Sequence, residues 1–372
     1  MKLVKYCVSM TRMGANRLLA FSFLLLFLFA FSCKQNNNQQ INNIPENNIP
    51  EEEQQEENRD KFPSFLKNNA IEFEEKTIIG KTQDEFDFGT KEEFFYGIFT
   101  EGRTVTLSPF YIGKTEVTWE LWNTVIQIAN KRELGYKIGE GQSGSDAAED
   151  DGKQPVAGIS WYDACVWCNA LTQVLTKDEK ECVYTIDGKI AKDSTDLSSC
   201  EKMKFDKTKK GLRLPTEAEW EMAARLENSL SNYTTNYGTQ EKPIYFLNSN
   251  CLSGAKKDFN DVEECNRVSC NKNNSGSNGS FVTRLVGSFV TNTQGAFDMA
   301  GNVAEWCWDW HGKIEKETVK DPTGAVNGKY KITRGGYMSA NPLFCISTYR
   351  CYLAQKPSFA NGDIGFRLAA YK

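Results

Sequence analysis

Histidine is nearly missing from this chain: His311 is the only one among 372 residues. A metal centre built on several imidazoles is excluded by arithmetic. A Ser-His-Asp or Cys-His nucleophile would have to form around that one side chain, and no local signature supports it. Flanked by Trp310 and Gly312, His311 reads as an exposed or satisfied polar residue. A long apolar run is also missing, because the most apolar stretch, Leu18 to Ser32, is shorter than the roughly 20 residues that a spanning helix needs. Positive charge is not in excess either. The formal charge is -5, with 44 Lys and Arg against 49 Asp and Glu, and the folded part has no basic stripe. That balance excludes nucleic acid as the main partner. No internal repeat is found.

The N-terminus is informative. Lys2, Lys5, Arg12 and Arg17, with no acidic residue among them, precede an apolar centre of Leu24, Leu25, Leu26, Phe27, Leu28 and Phe29. This is the pattern of an export signal. Ser32 then precedes Cys33, and a wholly polar stretch follows. The arrangement resembles the lipobox of bacterial lipoproteins, whose cysteine thiol is acylated and becomes the new N-terminus. Ala30 and Phe31 stand where that pattern prefers an aliphatic and a small residue. The other reading is an ordinary cleaved signal or a signal anchor with an incidental Cys33. A multiply acylated cysteine holds a protein on a bilayer far better than one chain can. From Lys34 to about Asp60 the chain is Asn, Gln, Glu and Pro with scattered Ile. Such a composition cannot offset its ordering entropy by burial. The expected organisation is a signal over 1–32, a disordered tether over 33–61 and one domain over 62–372. Loss of the four signal cations lowers the formal charge from -5 to -9.

Of the 12 cysteines, ten remain once Cys7 and Cys33 are set aside. For an exported protein disulfides are the default expectation. Cys182 with Cys200, and Cys251 with Cys265 or Cys270, would close polar insertions, although sequence cannot fix the pairing. Cys165 and Cys168 fit a helix face better than a redox pair. Phe62 to Thr100 reads as short strands, Thr77–Gly80 and Phe94–Phe99 among them. Val105 to Thr115 reads as another strand. Thr118 and Ser160 open helices over Trp119–Ala129 and from Trp161 to about Thr176. A third helix follows Pro215, with Thr216 and Glu219 as a capping box. Gly135 to Gln154 reads as a surface insertion.

Five ordered segments then carry a resemblance. They are Phe110–Thr118 (FYIGKTEVT), Pro155–Ala164 (PVAGISWYDA), Gly211–Ala224 (GLRLPTEAEWEMAA), Gly295–Trp306 (GAFDMAGNVAEW), and Arg334–Gly335–Gly336 followed by Gly365–Phe366–Arg367. Together, from about Ile79 to Tyr371, they resemble the sulfatase-modifying-factor family, the fold of the formylglycine-generating enzymes. The resemblance implies an irregular α+β domain, a variant of the C-type lectin fold, with a small antiparallel sheet and long loops. Read by themselves, Glu217 and Glu219 suit the positive end of a helix. Trp161, Trp167, Trp220, Trp306, Trp308 and Trp310 read first as core.

In that family the Asp298–Glu305 segment binds calcium. Carried over by position, the ligands are Asp298, the Gly301 and Val303 carbonyls, and Glu305, which are hard oxygens of the kind Ca²⁺ takes. The simpler alternative is that Asn302 and Glu305 brace a turn. A second family calcium site would fall near Asn250. The enzymes also hold copper between two thiolates, which suit Cu(I), on a segment after Arg-Gly-Gly with Ser first, Cys fourth and Cys ninth. Counted from Gly336, those positions here are Tyr337, Ala340 and Cys345. One thiolate is kept and the other is lost, so copper is not expected, and Cys345 is a catalytic residue only in an alternative oxidase reading. Cys345 could otherwise pack, and Cys351 could pair with Cys345 or with Cys307.

Between Gly336 and Gly365 the remaining residues depart from the family. Tyr337, Ser339, Ala340, Leu343, Phe344, Ile346, Thr348, Tyr352 and Phe359 are the expected ligand face, with Gln355 and Asn361 as further polar members. Aromatics beside small polar residues make adaptable contact surfaces; the alternative is a packed C-terminal strand. Some bacterial surface lipoproteins of this family are targets of diversity-generating retroelements, and this chain is similar in lipobox, tether, domain and departing C-terminal segment. The resemblance implies a non-catalytic receptor for a protein or glycan ligand, held to membrane lipid through Cys33 at the outer-membrane surface.

Overall fold

In a computed structural model, residues 61–80, 93–145, 152–226, 244–245, 252–256, 261–268, 282–350 and 355–372 are described. All of them fall within one contact unit, Gln55–Lys372. The signal, Cys33, nearly all of the tether, Cys251, Cys270, Cys351 and Tyr352 lie outside the described residues.

Capping residues place the main helices. Thr118 accepts from the Leu121 amide and opens α1, Trp119–Lys131, whose inner face carries Trp122, Val125 and Ala129. Ser160 and Asp163 form a full capping box that opens α2, Trp161–Thr176. This helix is buried on almost every side, as a helix apolar all round should be. Thr216 and Glu219 form a second capping box and open α3, Glu217–Arg225. All three starts agree with the sequence. A further helix, Phe62–Asn69 with Pro63 in its first turn, lies where only strands were expected. Proline sets its own φ in advance and forgoes an amide that a first turn leaves unbonded anyway.

The strands form small sheets. Phe110–Gly113 pairs antiparallel with Ala70–Phe73 on one side and with Ala369–Tyr371 on the other. Lys76–Ile79 and Thr104–Leu107 sit in the middle of a four-stranded sheet flanked by Ile244–Tyr245 and Thr318–Lys320. The third sheet has Ala304–Trp310 between Lys331–Arg334 and Ile364–Gly365, and it carries the candidate site. The single strand expected over Val105 to Thr115 is two strands in different sheets, Thr104–Leu107 and Phe110–Gly113. Pro109 cannot donate to a ladder, and at the break the Ser108 amide and hydroxyl both go to Asp321, at 2.7 and 2.8 Å. The expected strand at Phe94–Phe99 is instead a 3-10 turn, Glu93–Phe95, followed by irregular chain. Its apolar side chains are drawn inward without any strand pairing, and Phe95, Tyr96, Ile98 and Phe99 are buried.

Trp122 and Trp167 stack at 5.3 Å with 9° between their planes, and Phe366 meets both edge-on. Trp161, Trp167, Trp220 and Trp306 are core, while Trp308 and Trp310 are half-buried. Cys165 and Cys168 are buried thiols of α2. The expected Cys182–Cys200 disulfide is not formed. Each thiol is directed at a different backbone carbonyl, Cys182 at Asn169 (3.4 Å) and Cys200 at Asp193 (3.3 Å). Cys307 and Cys345 are likewise free, buried thiols. Among the described residues no helix is long and apolar enough to cross a membrane.

Candidate ligand face and cation turn

Helix α3 anchors both ends of the C-terminal segment. Glu217 accepts from Arg350 through Nε at 2.8 Å and Nη2 at 2.9 Å. Glu221 accepts from Arg334 Nη2 at 2.7 Å and from the Ile98 amide at 2.9 Å. Arg334 also donates to the carbonyls of Ser347 and Tyr349. Burial by itself would push the Glu217 carboxyl up, but the charges of Arg350 and Arg334 outweigh it and hold that carboxyl below its usual value. Segment 335–349 is therefore fastened at each end by a buried ion pair to one helix. Glu219 instead makes a bidentate pair with Arg213 at 2.6 and 2.7 Å. In the sequence these carboxylates suit a helix dipole, and the guanidinium partners of Glu217 and Glu221, Arg350 and Arg334, lie more than a hundred residues away.

The expected ligand face is only partly on the surface. Ser339, Phe344 and Phe359 are exposed, and Tyr337 and Leu343 are half-buried. Ala340, Ile346 and Thr348 are in the core at 5%, 0% and 0% exposure, so no macromolecule can touch them. The segment is not a strand. It holds a turn and a 3-10 helix, Pro342–Phe344, capped by Asn341, and every residue from Cys345 to Arg350 is buried. Asn341, not foreseen as a contact, is exposed. Phe344 lies over Tyr349 at 5.2 Å and Phe95 at 6.2 Å. Residues 337–349 include no charged side chain.

Ala340 and Cys345 belong to one buried apolar cluster with Phe95, Tyr96, Ile346 and Tyr349. Gly336 has φ +69°, and a Cβ there would stand 2.5 Å from the Cys345 sulfur. The second Gly of the Arg-Gly-Gly motif thus makes room for this thiol. With no donor on Ala340 and an apolar surround for Cys345, these residues do not fit a two-thiolate copper centre.

The Asp298–Glu305 turn is unusual in its backbone. Asp298, Gly301 and Asn302 all have positive φ, at 56°, 85° and 57°. Asp298 is 4% exposed; its Oδ2 accepts from the Gly287 amide at 2.6 Å, and its Oδ1 has no partner. Burial raises its carboxyl to about 6, with Arg367 and the Gly287 amide opposing. Glu116, missed by sequence reasoning, is buried beside it. Burial, then the charges of Asp298 and Glu305, push its carboxyl well above the usual range. Glu305 is fully buried and accepts from Arg367 and from Trp220 Nε1. Three carboxylates thus share one guanidinium, which leaves the pocket short of positive charge. The orphaned Asp298 oxygen fits a divalent cation. Among the described residues no three Asp, Glu, His or Cys side chains converge as a metal site. A set of two carboxylates and two carbonyls does not require them to.

The sequence profile of the sulfatase-modifying factor enzyme 1-like domain matches residues 76–372. This chain belongs to that family. The family member is 32% identical over 240 residues to the chaperone protein LppX of Paenibacillus barcinonensis, covering 63% of this chain and 71% of LppX. It is 32% identical over 167 residues to the formylglycine-generating enzyme of Thermomonospora curvata. That match takes in 43% of this chain and spans only 50% of the enzyme. Among solved structures, Treponema denticola variable protein 1 superposes with a TM-score of 0.55 at 29% identity, covering 82% of this chain and 99% of that one. The α+β fold with small sheets is thus the family's fold.

Proposed function

We propose that this family member is a non-catalytic ligand-binding module, displayed on a tether from a lipid-anchored Cys33 at the outer-membrane surface. The observation that carries the reading is Ala340, a methyl group where the oxidases place a copper-binding thiolate, packed beside Cys345 in an apolar cluster. The ligand face is Tyr337, Ser339, Asn341, Leu343 and Phe344, with Phe359 as a separate exposed aromatic. Its lack of charge suits an uncharged protein or glycan surface. Resemblance to a protein named variable supports a diversified face. Sequencing the gene from sibling strains tests this, and substitutions spread evenly over the chain would count against it. Fatty-acid labelling abolished by Cys33→Ser is expected of the anchor.

The second reading, a formylglycine-generating oxidase, draws on Cys345 and on the enzyme relatives. Cu(I) titration separates the two, because stoichiometric binding would favour the oxidase. Calcium is the proposed structural ion, held by Asp298, the Gly301 and Val303 carbonyls, and Glu305. Bound there, it would supply the positive charge that Arg367 alone does not.

A further inference from the structure

We infer that Asn302 is a positioning residue that couples cation binding at the Asp298 turn to the conformation of the ligand face. This rests on the calcium reading above and goes beyond it, since it assigns that ion a role in presenting residues 337–344.

Every polar atom of the Asn302 side chain is used. Its Oδ1 accepts from the Arg284 amide at 2.9 Å, while its Nδ2 donates to Glu116 Oε2 at 2.7 Å and to the Arg284 carbonyl at 3.3 Å. The residue is 1% exposed and holds a left-handed φ of +57°. A non-glycine residue holds such a backbone only where its surroundings over-determine it. Two main-chain bonds then run from this turn to the base of the face. The Met338 amide donates to the Asn302 carbonyl at 2.9 Å, and the Gly301 amide donates to the Gly335 carbonyl at 2.8 Å. The Val303 amide reaches the other oxygen of Glu116 at 3.3 Å.

The ligand set and the face are therefore one peptide unit apart. Gly301 and Val303, whose carbonyls would be ligands in the calcium reading, flank Asn302, whose own carbonyl accepts from Met338. If those two carbonyls serve as ligands, the two peptide planes on either side of Asn302 would be held in place. Met338 and the turn of Ser339 and Asn341 follow, because Ala340 donates back to the Tyr337 carbonyl at 2.9 Å. The side-chain bonds of Asn302 to Arg284 and Glu116 hold the backbone torsions between those planes, so that ligation of the flanking carbonyls is passed on to Met338 instead of being absorbed at residue 302.

The test is amide hydrogen exchange on the full chain, with saturating Ca²⁺ and with chelator, alongside calorimetric Ca²⁺ titration. Helix α2 serves as internal reference. Ca²⁺ is expected to slow exchange at Met338 and Ala340 about fivefold, the worth of one hydrogen bond, and to leave α2 unchanged. In Asn302→Gly, which keeps the left-handed backbone and all four ion ligands, Ca²⁺ should still bind while the slowing at 338 and 340 disappears. Glu116→Gln, which retains one acceptor in place of two, should lose part of it and serves if the glycine variant does not fold. If Ca²⁺ binds and 338–340 do not respond, or respond no more than α2, the coupling is wrong and the calcium reading survives. If no Ca²⁺ binds the wild type, the calcium reading fails and takes the coupling with it.

Discussion

Arg367 and Glu305 form a buried bidentate pair, with Nε on Oε2 and Nη2 on Oε1, each at 2.6 Å and neither side chain exposed. The same guanidinium donates to the carbonyls of Gly113 and Phe297, at 3.0 and 2.8 Å. It thereby joins the strand Ala304–Trp310, the strand Phe110–Gly113 and the start of the cation turn. Removal of one member of a buried pair strands the other charge, at a cost of about 3–5 kcal/mol. Arg367→Met should therefore lower the unfolding free energy in urea by that amount, and added Ca²⁺ should restore part of it. A loss below about 1 kcal/mol would mean that the pair behaves as a surface one.

Lys331 makes the second prediction. It is 1% exposed, lies 3.8 Å from the ring centres of Trp161 and Trp310 and 4.6 Å from that of Trp308, and donates to the Trp308 carbonyl at 2.9 Å. Burial lowers its amine to about 7, against smaller upward pulls from Cys165 and Asp309. Between pH 7 and 10.5 the folded protein then binds fewer protons here than the unfolded chain, so stability rises with pH across that window and the full cost is felt below it. A shift of this size is worth roughly 5 kcal/mol, and each ring contact returns about 0.5–1. Lys331→Met should be about 2 kcal/mol more stable than wild type at pH 6 by chemical denaturation, with the difference closing by pH 10. A pH-independent difference would rule out this titration.

Exposed and buried members of the C-terminal segment should behave oppositely. Ser339→Thr is expected to change stability by no more than about 0.5 kcal/mol, and Phe344→Ser, which loses its ring contacts with Tyr349 and Phe95, by about 1–2 kcal/mol, while Phe344→Ser abolishes ligand capture. Ile346→Ala should cost about 2–5 kcal/mol and leave residual capture in proportion to the folded fraction. Thermal melts beside a cell-surface binding assay check both. Equal sensitivity at positions 344 and 346 would contradict the division.

Chelation is the simplest of the tests. A ligand that binds only the native state raises stability, so the melting temperature should rise with Ca²⁺ and fall with EGTA. In Asp298→Asn, which removes the unpartnered carboxylate oxygen, Ca²⁺ should have little effect. A wild-type melt indifferent to Ca²⁺ would remove the ion from the turn.

Some of this was legible in the chain itself. Thr118, Ser160 and Thr216 announced their helices because a cap is a local interaction that spans three residues. The five motifs gave the family because their order and spacing are carried in the primary structure. Ala340 stood out by counting alone. Other features were not legible because they depend on partners far away along the chain. Nothing local links Glu116 to Asn302, or Arg350 to Glu217. The Phe62–Asn69 helix was hidden because its pattern is short, and the Cys182–Cys200 pairing failed because loop composition says nothing about where two thiols point.

What the sequence determined by itself was a family, a set of helix starts and a lost thiolate, each a matter of residue identity at a fixed spacing. What only the tertiary structure decided was which members of the C-terminal segment face solvent and which carboxylates share one guanidinium. An irregular segment pinned by Arg334 and Arg350 holds Ala340, Ile346 and Thr348 inside. The common burial of Asp298, Glu116 and Glu305 gave that pocket its need for positive charge. Side-chain direction and desolvation are properties of the packed chain, and neither can be read from the order of its residues.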